Sequence, residues 1–247
     1  MVTTKKINSA CLVIIGNEIL SGRTQDKNIN HIAKELFICG ISLQLVVVIP
    51  DQKKIIISQI RKLKNKYDFV ITTGGIGPTH DDITSESISL AVKKKYKLHN
   101  GAYKELKKYY RKIKSELTDA RMKMAYMPEG SKLILNKVSG APGFKIENIY
   151  VFAGIPLIVQ AMMKEFKKMI KIKNKFYSTT ISTKLFESKI AHLLVQAERK
   201  YKNISIGSYP IFDGKPKGVE IVINSQVNKL GVSNAKKFIL REINKII

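Results

Sequence analysis

The stretch TTGGIGPTHDDIT, from Thr72 to Thr84, closes an apolar run in which Tyr67, Phe69, Val70 and Ile71 read as a strand over Asp68 to Thr73. Gly74, Gly75, Gly77 and Pro78 then let the backbone turn sharply and come close to a ligand, because glycine tolerates dihedrals that other residues do not. Exposed amides in such a loop, followed by a helix that starts near Thr84, make a seat for phosphate or another anion. The pattern is neither the dinucleotide fingerprint G-x-G-x-x-G nor a P-loop, since no Gly-Lys-Ser/Thr follows. Asp81 and Asp82 need a separate reason. One of them could cap the helix; alternatively, carboxylates beside an anion seat call for a hard divalent cation to offset the repulsion.

Outward from this loop, strands alternate with helices. A first strand around Cys11 to Ile15 precedes a helix with Ile29, Ile32, Ala33, Leu36 and Phe37 on one face, and Gly40 stands where a helix end wants positive φ. A strand from Ile41 to Ile49 ends at Pro50. Asp51 either caps the next helix, whose stripe is Ile56, Ile60 and Leu63, or projects toward the crevice of the quoted loop. After the loop the pattern predicts helices from Ser85 to Tyr96 and from Asn100 to about Ala125, a strand from Lys132 to Asn136, a turn over Val138 to Phe144, and a strand from Tyr150 to Ala153. A helix then opens at Pro156, a position where helix starts tolerate proline, and runs to about Ile172. Repeated β-α units of this kind imply a parallel sheet covered by helices, with ligands bound at the carboxyl ends of its strands. The pattern changes at Lys173 to Lys175, and a β-α-β-β-α order follows. The expected division is a large α/β domain over residues 1–172 and a small α+β domain over 176–247.

Composition limits the function classes. The 247 residues are 44% hydrophobic and contain no Trp, and no apolar run reaches the roughly 18 to 20 residues of a membrane span, so a soluble protein away from the membrane is expected. Cys11, in the first strand, and Cys39, on an apolar helix face, lack the spacing of a zinc site and read as buried thiols of a reducing cytoplasm. The formal net charge of +25 raises nucleic acid as a partner. The basic residues are mostly Lys spread along every expected helix, the pattern of solvated helix faces, with weak attraction of anionic ligands as the other reading. The small domain has a KH-like element order, but Gly214 to Gly218 has the wrong spacing for a G-x-x-G clamp and lies between strands, which argues against RNA. His80 reads as a solvent-facing loop residue.

TGGIGPTHDDIT closely resembles the TGG-x-GP-x-x-x-D-x-T signature of molybdopterin-binding domains, found in molybdenum cofactor biosynthesis proteins and in competence/damage-inducible protein A. GNEILSGRTQDKNINHIAKEL, from Gly16 to Leu36, is similar to the GDE-(I/L)-L-x-G-x-x-x-D-x-N segment of the competence-protein branch, and SGAPGF to its APGF turn. IGSYP, from Ile206 to Pro210, resembles a stretch of the small domain in that branch and in FAD synthases of the eukaryotic type. The resemblance implies a three-layer α/β/α domain that forms dimers or trimers, and metal-dependent hydrolysis of a dinucleotide pyrophosphate such as ADP-ribose or FAD, with Mg²⁺, Mn²⁺ or Co²⁺ as the cation.

Matched onto this chain, Gly16, Asn28, Thr73, Gly74, Gly75, Gly77, Pro78 and Thr79 would hold the nucleotide or pterin. Ala141, Pro142, Gly143, Gly154 and Pro156 come from the two further turns. Asp51, Asp82 and Glu18 would be catalytic, and Asp82, Asp51 and Asp26 would hold the metal or order the attacking water. The chain departs from the pattern at Asn17, where the family has Asp, and at Ile158, where a PG-x-P-x-E-M turn has Glu. Two alternatives stay open: a nucleotide- or pterin-binding protein without catalysis, and a molybdopterin adenylyltransferase.

Overall fold

The structure is a computed structural model and describes residues 8–170, 176–225 and 227–246. The predicted change of pattern at Lys173 to Lys175 lies outside the described residues. The chain forms two compact units. One comprises residues 8–37 and 41–170; the other comprises the carboxyl-terminal residues from 176 onward with Ile38–Gly40.

In the larger unit, β1 (Asn8–Ile15) leads through a single helical turn, α1 (Asn17–Leu20), to α2 (Asn28–Ile38). Then follow β2 (Ile41–Ile49), α3 (Lys53–Lys64), β3 (Phe69–Thr73) and α4 (Thr84–Ala91). A short ribbon pairs β4 (Tyr96–Leu98) with β5 (Tyr126–Pro128), separated by α5 (Asn100–Lys112) and α6 (Asp119–Met122). The unit closes with β6 (Lys132–Ile134), β7 (Gly143–Ile146), β8 (Ile149–Phe152) and α7 (Pro156–Met169), which has Pro in its first turn. The sheet order is β2-β1-β3-β8-β7-β6. β1, β2, β3 and β8 run parallel, and β7 and β6 join antiparallel.

Burial explains the sequence pattern. Every residue of β1 from Ala10 to Ile15 is buried, as a strand covered on both faces must be. Cys11, Val13 and Ile15 join Ile56, Ile60 and Leu63 of α3 in one core layer. Phe166 of α7, fully buried, packs edge-on against Tyr150 at a centroid distance of 4.8 Å, Phe69 at 6.1 Å and Phe152 at 6.2 Å. Cys11 and Cys39 are both buried thiols; burial pushes the Cys11 thiol up to about 12, which leaves it unreactive.

Five expectations need correction. The helix after the quoted loop ends at Ala91 rather than Tyr96: Lys93 takes a φ of 55° and the chain extends into β4, where pairing with β5 replaces helical hydrogen bonds. The long helix to Ala125 breaks after Lys112, with Lys114 at φ 52°. Arg121 holds the break by donating to Ser115 Oγ at 2.8 Å while lying 4.5 Å over the Tyr110 ring. Asn136 ends β6 early, because its Oδ1 accepts from the amides of Val138 at 3.0 Å and Ser139 at 2.8 Å, and the expected turn yields strand β7 from Gly143. Cys39 lies beyond the end of α2. Asp51 does not cap α3, whose cap position is Gln52 with no side-chain bond.

The smaller unit contains β9 (Tyr177–Thr183), α8 (Glu187–Lys200), β10 (Ser205–Phe212), β11 (Pro216–Ser225) and α9 (Lys229–Ile243), with the antiparallel order β10-β11-β9. β10 and β11 pair up to Phe212 and Pro216, so most of the stretch from Pro210 to Gly218 is strand. The last helix starts at Lys229, capped by Asn228 Oδ1 accepting from Gly231 N at 2.7 Å. Among the described residues no helix is long and apolar enough to cross a membrane.

Replacing Phe166 with Ala removes the ring common to all these edge contacts. Equilibrium urea unfolding should show a loss of about 3–5 kcal/mol.

Candidate active site

The carboxyl ends of the parallel strands converge on a cleft of about 570 Å³ in the larger unit. Its position follows from strand register: Ile14 lies beside Thr73 and Ile15 beside Ile49, so the loops after β1, β2 and β3 leave the sheet at one level. Gly74 makes this possible. Its φ is 99°, and a Cβ built there would fall 2.1 Å from the Ile15 carbonyl oxygen, a distance no side chain can occupy.

The loop after β3 is braced from within. Asp82 Oδ2 accepts from the Thr79 amide at 2.8 Å and from the Thr79 hydroxyl at 2.5 Å. A Cβ on Gly77 would meet the same carboxylate at 2.6 Å, so glycine is what lets Asp82 fold back under the loop. Gly75 O accepts from Thr84 N at 3.0 Å, tying the loop to the start of α4. Neither Asp81 nor Asp82 caps that helix, because its cap position is Ile83 and carries no side-chain bond. Among the described residues, the amides of Gly75, Ile76 and Gly77 are left without an acceptor, so three donors remain for a ligand.

Carboxylates gather around this seat. Glu18, Asp26, Asp51, Asp81 and Asp82 line the cleft, against Lys27 as its single basic side chain. In a chain of 44 basic and 19 acidic residues, this is a local inversion of charge. Asp51 Oδ2 accepts from Asn17 N at 2.8 Å, which joins the first loop to the second. Burial raises the Asp51 carboxyl above its ordinary range; the Asn17 bond offsets part of this, and the charges of Glu18 and Asp81 raise it further. Asp26 Oδ1 accepts from the amides of Asn28 at 2.9 Å and Ile29 at 2.7 Å, closing the first turn of α2. Asn28 is buried, and its Nδ2 donates to the Gly154 carbonyl at 2.7 Å, fixing the loop before α7 across the cleft. The Oδ1 of Asn28 and the hydroxyls of Thr73 and Thr84 are buried with no partner among the described residues, an orphaned polar set around the Thr-Gly-Gly turn.

The cleft brings together most of the residues proposed from sequence: Glu18, Asp26, Asn28, Asp51, Thr73, Gly74, Gly75, Gly77, Pro78, Asp82, Ala141, Gly154 and Pro156. Four lie outside its lining. Gly16 is buried at the start of α1, Thr79 serves as the donor to Asp82, and Pro142 and Gly143 are buried where β7 begins. Ile158 lines the cleft as a buried apolar residue on α7, and Asn17 contributes its backbone amide. Tyr110 and Met124 also line it. They come from segments some thirty to fifty residues beyond the loop, and no motif marked them.

The donor set fits a hard cation shared with a ligand, rather than a closed protein cage. Asp26, Asp51 and Asp82 each commit one oxygen to an amide or hydroxyl, and none of the five carboxylates forms an ion pair among the described residues. Among those residues, no three His, Cys, Asp or Glu side chains converge as a metal-binding group. A divalent cation here would complete its shell with phosphate oxygens and water, as Mg²⁺ commonly does.

Residues 11–171 match the family model described as the probable molybdopterin binding domain. The chain belongs to that family. Residues 175–247 match the model of the FAD synthase middle domain. A protein of Archaeoglobus fulgidus is 35% identical over 201 residues, covering 81% of this chain and 84% of its own. One of Caldivirga maquilingensis is 33% identical over 233 residues, covering 91% and 89%. Among solved structures, the protein CinA of unknown function from Thermoplasma acidophilum superposes with a TM-score of 0.60 at 30% identity, over 66% of this chain and 98% of that one. The chain is therefore a molybdopterin-binding-like protein of the CinA and FAD synthase type, with a mixed, mostly parallel six-stranded sheet and a small α+β region.

The raised Asp51 carboxyl has a consequence for stability. A carboxyl whose folded value lies above its unfolded one stabilises the fold when protonated, and that contribution is lost as pH rises through the folded value. Asp51→Asn should therefore raise the thermal midpoint at pH 7, with the gain shrinking as pH falls to the ordinary carboxylate range; calorimetry across pH checks this.

Proposed function

We propose that the cleft binds a dinucleotide pyrophosphate of the ADP-ribose or FAD kind and hydrolyses it with a divalent cation. The observation that supports this reading most directly is the pairing of three free amides, at Gly75, Ile76 and Gly77, with five carboxylates lining one cleft that contains a single lysine. The amides suit phosphate oxygens, but the carboxylates would repel them in the absence of a cation. When bound, the cation supplies charge neutralisation at the phosphates and polarises the bond to be cleaved.

The chain's own residues do the remaining work. Gly75, Ile76 and Gly77 orient the pyrophosphate by donating to its non-bridging oxygens, and the buried Thr73 hydroxyl lies at the base of the same turn. Asp51 is the residue suited to position water as a general base. It is half-buried, burial raises its carboxyl above the ordinary range, and the Asn17 amide fixes one oxygen while the other is left to take a proton. Asp82 holds the loop in shape through Thr79 and turns toward the same cleft. Ile14, Ile15, Ile19 and Ile76 add an apolar wall that limits competing water.

The test is release of AMP from ADP-ribose, FAD or NAD with Mg²⁺, Mn²⁺ or Co²⁺. Activity is expected with at least one pair, and Asp51→Asn should lower kcat/KM by roughly 10²-fold. Absence of AMP under every combination sinks the reading. A second reading, binding without turnover, is favoured by Ile158, which presents an apolar side chain to the cleft where the related turn has an acid. In that case calorimetry shows nucleotide binding with no product, and Asn17→Asp combined with Ile158→Glu should restore hydrolysis.

A further inference from the structure

A second hollow, of about 430 Å³, lies on the other side of the Thr79 to Asp82 loop, and Asp82 lines both. Its aromatic wall is the β4-β5 ribbon, where the rings of Tyr96 and Tyr126 lie 5.6 Å apart and tilted by 48°. Tyr126 is 38% exposed, which leaves ring surface open to the hollow. The rest of the wall carries three acids, His80 and the apolar Ile83 and Met122. Asp82, Glu86 and Asp119 face Lys123, whose ammonium already donates to the Thr79 carbonyl. Glu86 is paired with Lys53 at 2.8 Å, whereas the Asp119 carboxylate has no partner among the described residues. Taken with the cleft, seven of the chain's 19 acidic residues line the two hollows, where the basic side chains among the described lining residues are Lys27, His80 and Lys123. In a chain of net charge +25 such an enclave repels a second anion and attracts a cation.

An aromatic face and an unpaired carboxylate lining one hollow, here those of Tyr126 and Asp119, are a combination that binds planar or quaternary organic cations: the ring quadrupole attracts the charge and the carboxylate neutralises it. We propose that this hollow binds a planar cationic ring of the pyridinium type. Its shared wall with the cleft gives the hollow a role in choosing substrates. A dinucleotide whose phosphates sit on the Gly75 to Gly77 amides can extend a cationic ring past Asp82, so that NAD is preferred over ADP-ribose, which lacks that ring. The binding of a cation stands on the hollow alone; the preference among dinucleotides rests on the function proposed above.

Titrating the isotope-labelled full chain with 1-methylnicotinamide, a permanent cation, and with neutral nicotinamide separates the two. The cation should shift resonances of residues 80–86, 96 and 119–126 and bind at least about fivefold more tightly than the neutral ring. Tyr126→Ala should weaken it by about fivefold. Asp119→Asn, an exposed change that spares the fold, should weaken the cation and leave nicotinamide unaffected. Equal affinity for both rings, shifts confined to the larger cleft, or no effect of Asp119→Asn overturns the proposal. If AMP is released, Tyr126→Ala should raise KM for NAD and leave that for ADP-ribose unchanged. If no dinucleotide is hydrolysed, the hydrolase reading fails while the titration still decides the hollow.

Discussion

The site depends on one steric constraint, the contact of Gly74 with the carbonyl of Ile15. Two parallel strands end side by side, and the chain leaving β3 must pass over the end of β1 with no room for a side chain. Once it does so, the loop cannot continue the strand and its amides turn away from the sheet. Among the described residues, the amides of Gly75, Ile76 and Gly77 have no acceptor. The second brace, from Asp82 to Thr79, works only because Gly77 leaves space for the carboxylate. Backbone geometry thus shapes the turn of the loop, and a single acid, Asp82, braces it through Thr79.

The acids around that seat conflict with the rest of the surface. Lysines over most of the molecule are screened by water and contribute little individually. Asp51 is different, because burial and the nearby charges of Glu18 and Asp81 act on it together. Such an arrangement opposes folding at neutral pH and persists where strain of this kind serves a site. Asn17 relieves part of it by donating its backbone amide, a role its side chain does not influence.

Much of the architecture was legible in the chain itself. The strand Ile41–Ile49 and the stripe Ile56, Ile60 and Leu63 follow from local periodicity that tertiary packing reinforces. Elements failed where a non-local partner overrode propensity. Tyr96 closes the expected helix, yet begins a strand because Tyr126 to Pro128 lies beside it. Gly143 and Phe144 close the expected turn, yet open a strand because β8 and β6 offer it two edges. Asp51 has the look of a helix cap, but its nearest unsatisfied donor is Asn17, thirty-four residues earlier.

By itself, the sequence determined the order of strands and helices in the sheet's parallel half and the chemistry of the quoted loop, since glycines, a proline and paired acids constrain the backbone and charge within a few residues. Only the tertiary structure decided which acids face one another. It made Asp82 a brace and Asp26 a helix-closing residue, brought Tyr110 and Met124 to the cleft, and set Tyr96 and Tyr126 beside Asp82 and Asp119. The physical reason is range: dihedral preference acts between chain neighbours, whereas desolvation and charge pairing depend on distances that exist only after the sheet has formed.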